Sequence, residues 1–227
     1  TDPLRDGLNP QGPLAGVPFL MKDLGPTLKG RLQEQGSLFM RGNRPTQDTW
    51  LTSQMRRAGL NLMGRTTTPE FGVCSSAENP AVCVTRNPWN TDHTPGGSSG
   101  GAGAAVAAGL GPIAIGTDGG GSVRIPASFN GLVGLKATFG RVPAWPPSMT
   151  GDLSNTGPMA RTALDCALMM NVLARPDARL ISVAKQRARH TGIGRAEAGR
   201  LLAHVLRVGA HAAGTLQAER HAVEVAK

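Results

Sequence analysis

The chain has 227 residues, 40% of them hydrophobic and 17% charged, and its aromatic content is confined to three tryptophans and five phenylalanines. That is room for one large domain or two small ones with a buried core, and no apolar run approaches the ~18 residues that a membrane helix needs. The net charge of +9 is unevenly spread: residues 1–174 hold 14 Lys and Arg against 11 Asp and Glu, whereas residues 175–227 hold 10 against 4 and no aromatic residue. The excess therefore reads as a solvated basic tail without the stacking platforms of a single-strand nucleic-acid binder.

The first residues, TDPLRDGLNP, contain neither an initiator methionine nor a basic segment leading into an apolar one, and read as the start of an internal fragment with no secretory signal. Gly16–Leu24 (GVPFLMKDL) is a short apolar run broken by Pro18, expected as an edge strand or strand end that delivers Lys22 and Asp23. Asp48 is the expected cap of a helix in which Leu51, Met55 and Ala58 share one face and Gly59 ends it. Leu60–Gly64 reads as a strand. Ala102–Ala108 predicts a small-residue helix behind a glycine-rich entry, closed by Gly109, and Pro112–Gly116 predicts a buried strand. Thr162 and Asp165 have the spacing of a capping-box variant, after which Leu164, Ala167, Leu168 and Val172 recur at helical spacing. Strands alternating with helices imply an α/β sheet.

A composition boundary follows near Ala174. Beyond Pro176 proline disappears and Ala and Arg dominate, so a domain over 1–174 and a basic Ala/Arg-rich tail over 175–227 are expected. Within the tail, Leu201, Leu202, Val205, Leu206 and Val208 fit one face of an amphipathic helix around Ala196–Val208. Three cysteines, Cys74, Cys83 and Cys166, are odd in number and form no C-x-x-C pair; this argues against a disulfide framework or thiolate zinc site and for a reducing cytosol.

Three segments carry chemistry. Lys22 is a lone ammonium at the end of an apolar run, and desolvation there would lower its pKa and make it a neutral general base; a lysine snorkelling to the surface beside Asp23 is the competing outcome. Thr94–Gly103 (TPGGSSGGAG) presents Ser98 and Ser99 in a loop that opens a helix. It lacks the G-x-x-x-x-G-K-[ST] of a phosphate loop, and although Gly97–Gly101 satisfies G-x-S-x-G, the turn-rich Asn87–Pro95 before it is not the strand a nucleophile elbow requires. Ile113–Ser128 (IAIGTDGGGSVRIPAS) runs a short strand into three glycines and Ser122, a hydroxyl beside free backbone N–H donors, as acyl transfer needs for its oxyanion. An ordinary flexible turn would have the same glycines. Only His93 precedes residue 175, so a Ser-His-Asp triad has almost nothing to work with, whereas Ser-Lys chemistry needs no histidine.

At these residues the sequence resembles the amidase signature family. PLAGVPFLMKD (Pro13–Asp23) is similar to its lysine motif, GGSSGG (Gly96–Gly101) to its glycine/serine motif and GTDGGGSVRIPAS (Gly116–Ser128) to its nucleophile motif. GLVGLKAT, GRVP and GPMART (Gly157–Thr162) continue the similarity in order, over roughly residues 12–174. The resemblance implies a mixed β-sheet core flanked by helices, incomplete at the C-terminus, and an acyl-enzyme mechanism in which Ser122 is the nucleophile. Ser98 would relay its proton through a strained peptide geometry to the neutral base Lys22, and the N–H groups of Gly119, Gly120, Gly121 and Ser122 would form the oxyanion hole. Ser99, Asp118 and Arg124 fall on supporting positions. The substrate would be a small carboxamide; no metal, organic cofactor, nucleic acid or membrane is implied, and a homo-oligomer stays open.

Family members are about twice this long. From Arg175 onward the text no longer resembles them, and its abrupt Ala/Arg bias is that of a shifted frame or truncated reading frame. Ser182–Lys185 reads S-x-x-K without the companion motifs of β-lactamases, a chance match. Two further outcomes are open: the A chain type of glutamyl-tRNA(Gln) amidotransferase, which would free ammonia from glutamine for a partner protein, or an inactive truncated remnant. Phe19, Met21, Phe71 and Trp145 are expected to fill the core rather than line a pocket.

Overall fold

The computed structural model describes residues 9–148 and 153–177. The chain divides into two units, Thr1–Arg175 and Pro176–Lys227, and the fold below is that of the first. The helix expected around Ala196–Val208, the Ser182–Lys185 match and residues 178–227 of the basic tail lie outside the described residues.

A five-stranded sheet is built from β1 (Pro18–Lys22), β2 (Asn61–Thr66), β5 (Ile113–Asp118), β6 (Val133–Gly134) and β7 (Asn155–Ala160), in the order β2-β1-β5-β7-β6. β1 runs parallel to β2 and β5, whereas β7 is antiparallel to both β5 and β6, so the sheet is mixed. A short hairpin, β3 (Glu78–Asn79) with β4 (Cys83–Val84), stands apart. The run around Lys22 is a strand end, as expected, but not an edge: β1 has a neighbour on each side. Pro18 is tolerated because it is the first strand residue, opposite Asn61, and the ladder to β5 begins only at Phe19 against Ile113. β2 takes the edge instead.

Helix α1 (Trp50–Arg57) starts one residue later than Asp48 would set it. Thr49 is the cap, its side chain accepting from the Thr52 N–H, while Asp48 accepts from the Lys29 N–H at 2.7 Å and pairs with Arg56 at 2.9 Å. In α4 (Ala163–Leu173) the Thr162 hydroxyl accepts from the Asp165 N–H and donates to its carboxylate, so the cap is as read. The buried stripe is Cys166, Met169, Val172 and Leu173, whereas Leu164, in the first turn, is 53% exposed.

Alternation along the strands sorts the core onto two faces. Phe19, Met21, Ile113 and Ile115 face α1 and α4, packing with Leu51, Met55, Leu60, Met169 and Leu173. Leu20, Ala114 and Met159 face the other way, onto Ala102 and Val106 of α2 (Gly100–Ala107) and onto Val123 and Ala127 at α3 (Arg124–Phe129). Almost every residue of α2 is buried, and its sequence, GGAGAAVA, is nearly free of bulk, so the helix lies close on the sheet. Among the described residues no helix is long and apolar enough to cross a membrane.

Candidate active site

Three chain segments meet where β1 and β5 end. β1 delivers Lys22, β5 delivers Thr117 and Asp118, and the loop before α2 carries Ser98 and Ser99. Lys22 has no exposed surface. Its Nζ lies 2.6 Å from Ser98 Oγ and 3.0 Å from Thr117 Oγ1. Burial drives its pKa down from 10.5 to about 7, against the opposing pull of the Asp118 charge. The snorkelling alternative is thereby excluded: Lys22 points inward, to two hydroxyls and no contacting carboxylate.

Ser98 is buried, and the Gly97–Ser98 peptide bond preceding it is cis. Ser99 is also fully buried, but it faces β5: its hydroxyl accepts from the Thr117 N–H at 3.3 Å and donates to the Thr117 carbonyl at 3.4 Å. A Cβ on Gly116 would overlap the Ser99 hydroxyl, so this close approach requires glycine there. Ser99 thus fastens the serine loop to the sheet and leaves Ser98 as the hydroxyl presented to Lys22.

Ser122 lies in the turn between β5 and α3, half-buried, with its carbonyl accepting from the Ser99 N–H at 3.2 Å. This seats residue 122 against the serine loop. Its hydroxyl makes no hydrogen bond among the described residues. The four N–H groups expected to form an oxyanion hole are not equivalent. Gly121 N–H donates to Asp118 Oδ1 at 2.7 Å, whereas those of Gly119, Gly120 and Ser122 have no partner among the described residues.

Asp118 organises that turn. Its fully buried carboxylate accepts from the N–H groups of Gly121, Val123 and Arg124 and from the Arg124 side chain at 2.9 and 3.0 Å. Burial alone would raise its pKa, but the Arg124 and backbone hydrogen bonds outweigh that and hold it at about 2. Asp118 stays ionised, so its three backbone bonds persist.

The other singled-out residues divide. Phe19 and Met21 fill the core as expected; Phe71 and Trp145 do not, being 36% and 38% exposed, Phe71 in a single 3-10 turn (Glu70–Gly72) and Trp145 in a connecting loop, both outside the strands. Two residues of the site carried no assignment in the sequence. Thr117 receives the second Lys22 hydrogen bond, and its signal was a hydroxyl beside Asp118 in the strand leading to Ser122. Gly72 is the other: a Cβ there would lie 3.3 Å from Ser98 Oγ. No three His, Cys, Asp or Glu side chains converge among the described residues.

Residues 3–199 match the model of the Amidase family, a span that runs past residue 174, where the expected similarity ended. The chain is similar to the A-type component of glutamyl-tRNA(Gln) amidotransferase from Burkholderia pseudomallei (strain 668), with 46% identity over 169 residues, 74% of this chain and 34% of the relative. Among solved structures it resembles a 6-aminohexanoate cyclic dimer hydrolase complexed with substrate (TM-score 0.71, 42% identity, 74% of this chain and 36% of the other). It also resembles native peptide amidase from Stenotrophomonas maltophilia (TM-score 0.65, 35% identity, 74% and 35%). The chain spans about a third of the length of these relatives.

Proposed function

The chain belongs to the amidase family, and from that premise we propose that its site hydrolyses a carboxamide C–N bond through Ser122, Ser98 and Lys22. Ser122 Oγ attacks the carbonyl carbon; its proton passes by way of Ser98 Oγ to neutral Lys22 Nζ as the C–O bond forms and negative charge develops on the carbonyl oxygen. The N–H groups of Gly119, Gly120 and Ser122 meet that charge, and Asp118 with Arg124 holds the turn that presents them. Gly121 contributes through the same turn, its own N–H engaged by Asp118. As the C–N bond breaks, the relay returns the proton to nitrogen and leaves an ester on Ser122. Water, deprotonated along the same route, cleaves the ester and releases the acid.

The observation that carries this reading is Lys22: wholly buried, held near 7, and 2.6 Å from a serine hydroxyl. A lysine kept for structure alone would find a carboxylate or solvent. The substrate is a small amide, and free Cys74, Cys83 and Cys166 suit a cytosolic setting. The test is ammonia release from short aliphatic and aromatic primary amides. Release that Ser122→Ala abolishes is expected; equal release by that variant overturns the proposal.

A second reading is favoured by the 46% identity to a component of glutamyl-tRNA(Gln) amidotransferase. In it the amide is glutamine and the ammonia serves a partner protein. Glutamine turning over much faster than every other amide supports that reading, and indifference to glutamine removes it.

A further inference from the structure

Lys22 is the last residue of β1, and a strand end frays unless something holds it. The residue after it supplies the hold. Asp23 continues the ladder through its N–H to the Thr66 carbonyl at 3.0 Å, while its carboxylate accepts from the N–H groups of Glu34 and Gly36, both at 3.3 Å. Arg65 lies beside it, its Nε 3.9 Å from Asp23 Oδ1, and donates from Nη1 to the carbonyls of Lys22 at 3.0 Å and Pro26 at 3.4 Å.

The loop that Asp23 gathers is knitted to the far wall of the site. Gln35 O accepts from the Phe71 N–H at 2.9 Å, the Ser37 hydroxyl donates to Glu70 at 2.6 Å, and the Asn79 amide donates to the carbonyls of Gly36 and Thr68. Phe71 is one of two non-glycine residues with positive φ among those described, at 49°, a conformation that persists only where neighbours over-determine it. Gly72 is next in the chain, and a Cβ placed there would lie 3.3 Å from Ser98 Oγ, so this backbone passes close to the serine. A path of peptide links and hydrogen bonds therefore runs from Lys22 through Asp23 and residues 34–37 to Glu70 and Phe71, next to Gly72.

We propose that Asp23 is a positioning residue of this site: its carboxylate fastens the 34–37 loop, and through it the 70–72 wall, over the buried Lys22–Ser98 pair, without touching the reacting atoms. The inference rests on the function proposed above. With the brace released, water reaches Lys22 and its ammonium form is favoured. The groups facing Lys22 are then the Ser98 and Thr117 hydroxyls by hydrogen bond and Asp118, whose charge favours the ammonium, while the Arg65 guanidinium, hydrogen-bonded to the Lys22 carbonyl, is the nearby cation that opposes it.

The test follows the rate of Ser122 modification by a fluorophosphonate against pH, by intact mass, in wild type, Asp23→Ala and Asp23→Asn, with a thermal transition for each. Asp23→Ala is expected to label at least about fivefold more slowly at pH 7, with the midpoint of its pH profile raised by about one unit or more. Asp23→Asn keeps a side-chain carbonyl for one of the two loop N–H groups and falls between. A profile of unchanged midpoint in Asp23→Ala overturns the proposal, whatever happens to the melting temperature, since a smaller folded population lowers the rate without changing the environment of Lys22. Wild-type chain that is not labelled at Ser122 overturns the function instead, so the two failures are distinct.

Discussion

The two faces of the sheet are built from opposite materials. On the α1 and α4 side, Phe19, Met21, Ile115, Met169 and Leu173 are each at most 1% exposed, and burial of side chains this large stabilises by roughly 1.5–3 kcal/mol apiece. On the α2 side the helix is glycine and alanine, Gly116 leaves room for Ser99, and the buried groups next to the apolar ones are Lys22, Ser98, Ser99 and Asp118. One face supplies bulk. The other gives up bulk for close approach and holds a lysine whose burial disfavours its own charge.

That contrast can be broken first at Lys22. Lys22→Met is expected to reduce Ser122 labelling on the order of 10³-fold or more. It should also stabilise the chain. The folded pKa of about 7 lies below the unfolded 10.5, so the unfolded chain holds the extra proton between those values and wild-type stability rises with pH across that window. The variant loses this slope, and its advantage is greatest below pH 7, on the order of 5 kcal/mol, as denaturant titrations at pH 6 and pH 9 would show. A variant less stable than wild type at pH 6 would mean that Lys22 is not desolvated as described.

Met169→Ala attacks the opposite face. It should cost about 2–5 kcal/mol in chemical denaturation while leaving the labelling midpoint in place, because it touches none of the site. Gly116→Ala sharpens the comparison from the other side: about 1–3 kcal/mol of overpacking, with labelling lost disproportionately as Ser99 is displaced from β5. Arg124→Ala is a smaller change at neutral pH. Asp118, held at about 2 against 3.8 when unfolded, contributes stability that is present above the higher value and lost as pH falls through the lower; without Arg124 that loss begins at higher pH in an acid titration. Thr49→Ala, at the cap of α1, should cost about 1 kcal/mol by thermal melting.

The same division explains what the sequence made legible. β5 and its exit to Ser122 were readable because an apolar run followed by three glycines is a local pattern, and the inward course of Lys22 was one of two stated outcomes. The interior place of β1 was not readable, since its partners come from residues 61–66 and 113–115, far along the chain. β7 was missed as a strand because Gly157 and Pro158 interrupt it; opposite β5 and β6 the register still holds, with Pro158 contributing its carbonyl to the Leu135 N–H at 3.1 Å. The helix cap fell to Thr49 rather than Asp48 because Asp48 has tertiary partners in Lys29 and Arg56. The neighbours of Thr117, Gly72 and Asp23 at the site are distant in sequence, which a linear pattern does not display.

The central claim is that a buried, neutral Lys22 activates Ser122 by way of Ser98. Its most direct test is the pH dependence of Ser122 phosphonylation by a fluorophosphonate, read as intact mass beside Ser122→Ala. The account predicts a single adduct, absent from the variant, whose rate rises through a midpoint near pH 7 and then levels off. A rate that climbs only toward pH 10, or an adduct that persists in Ser122→Ala, would contradict it.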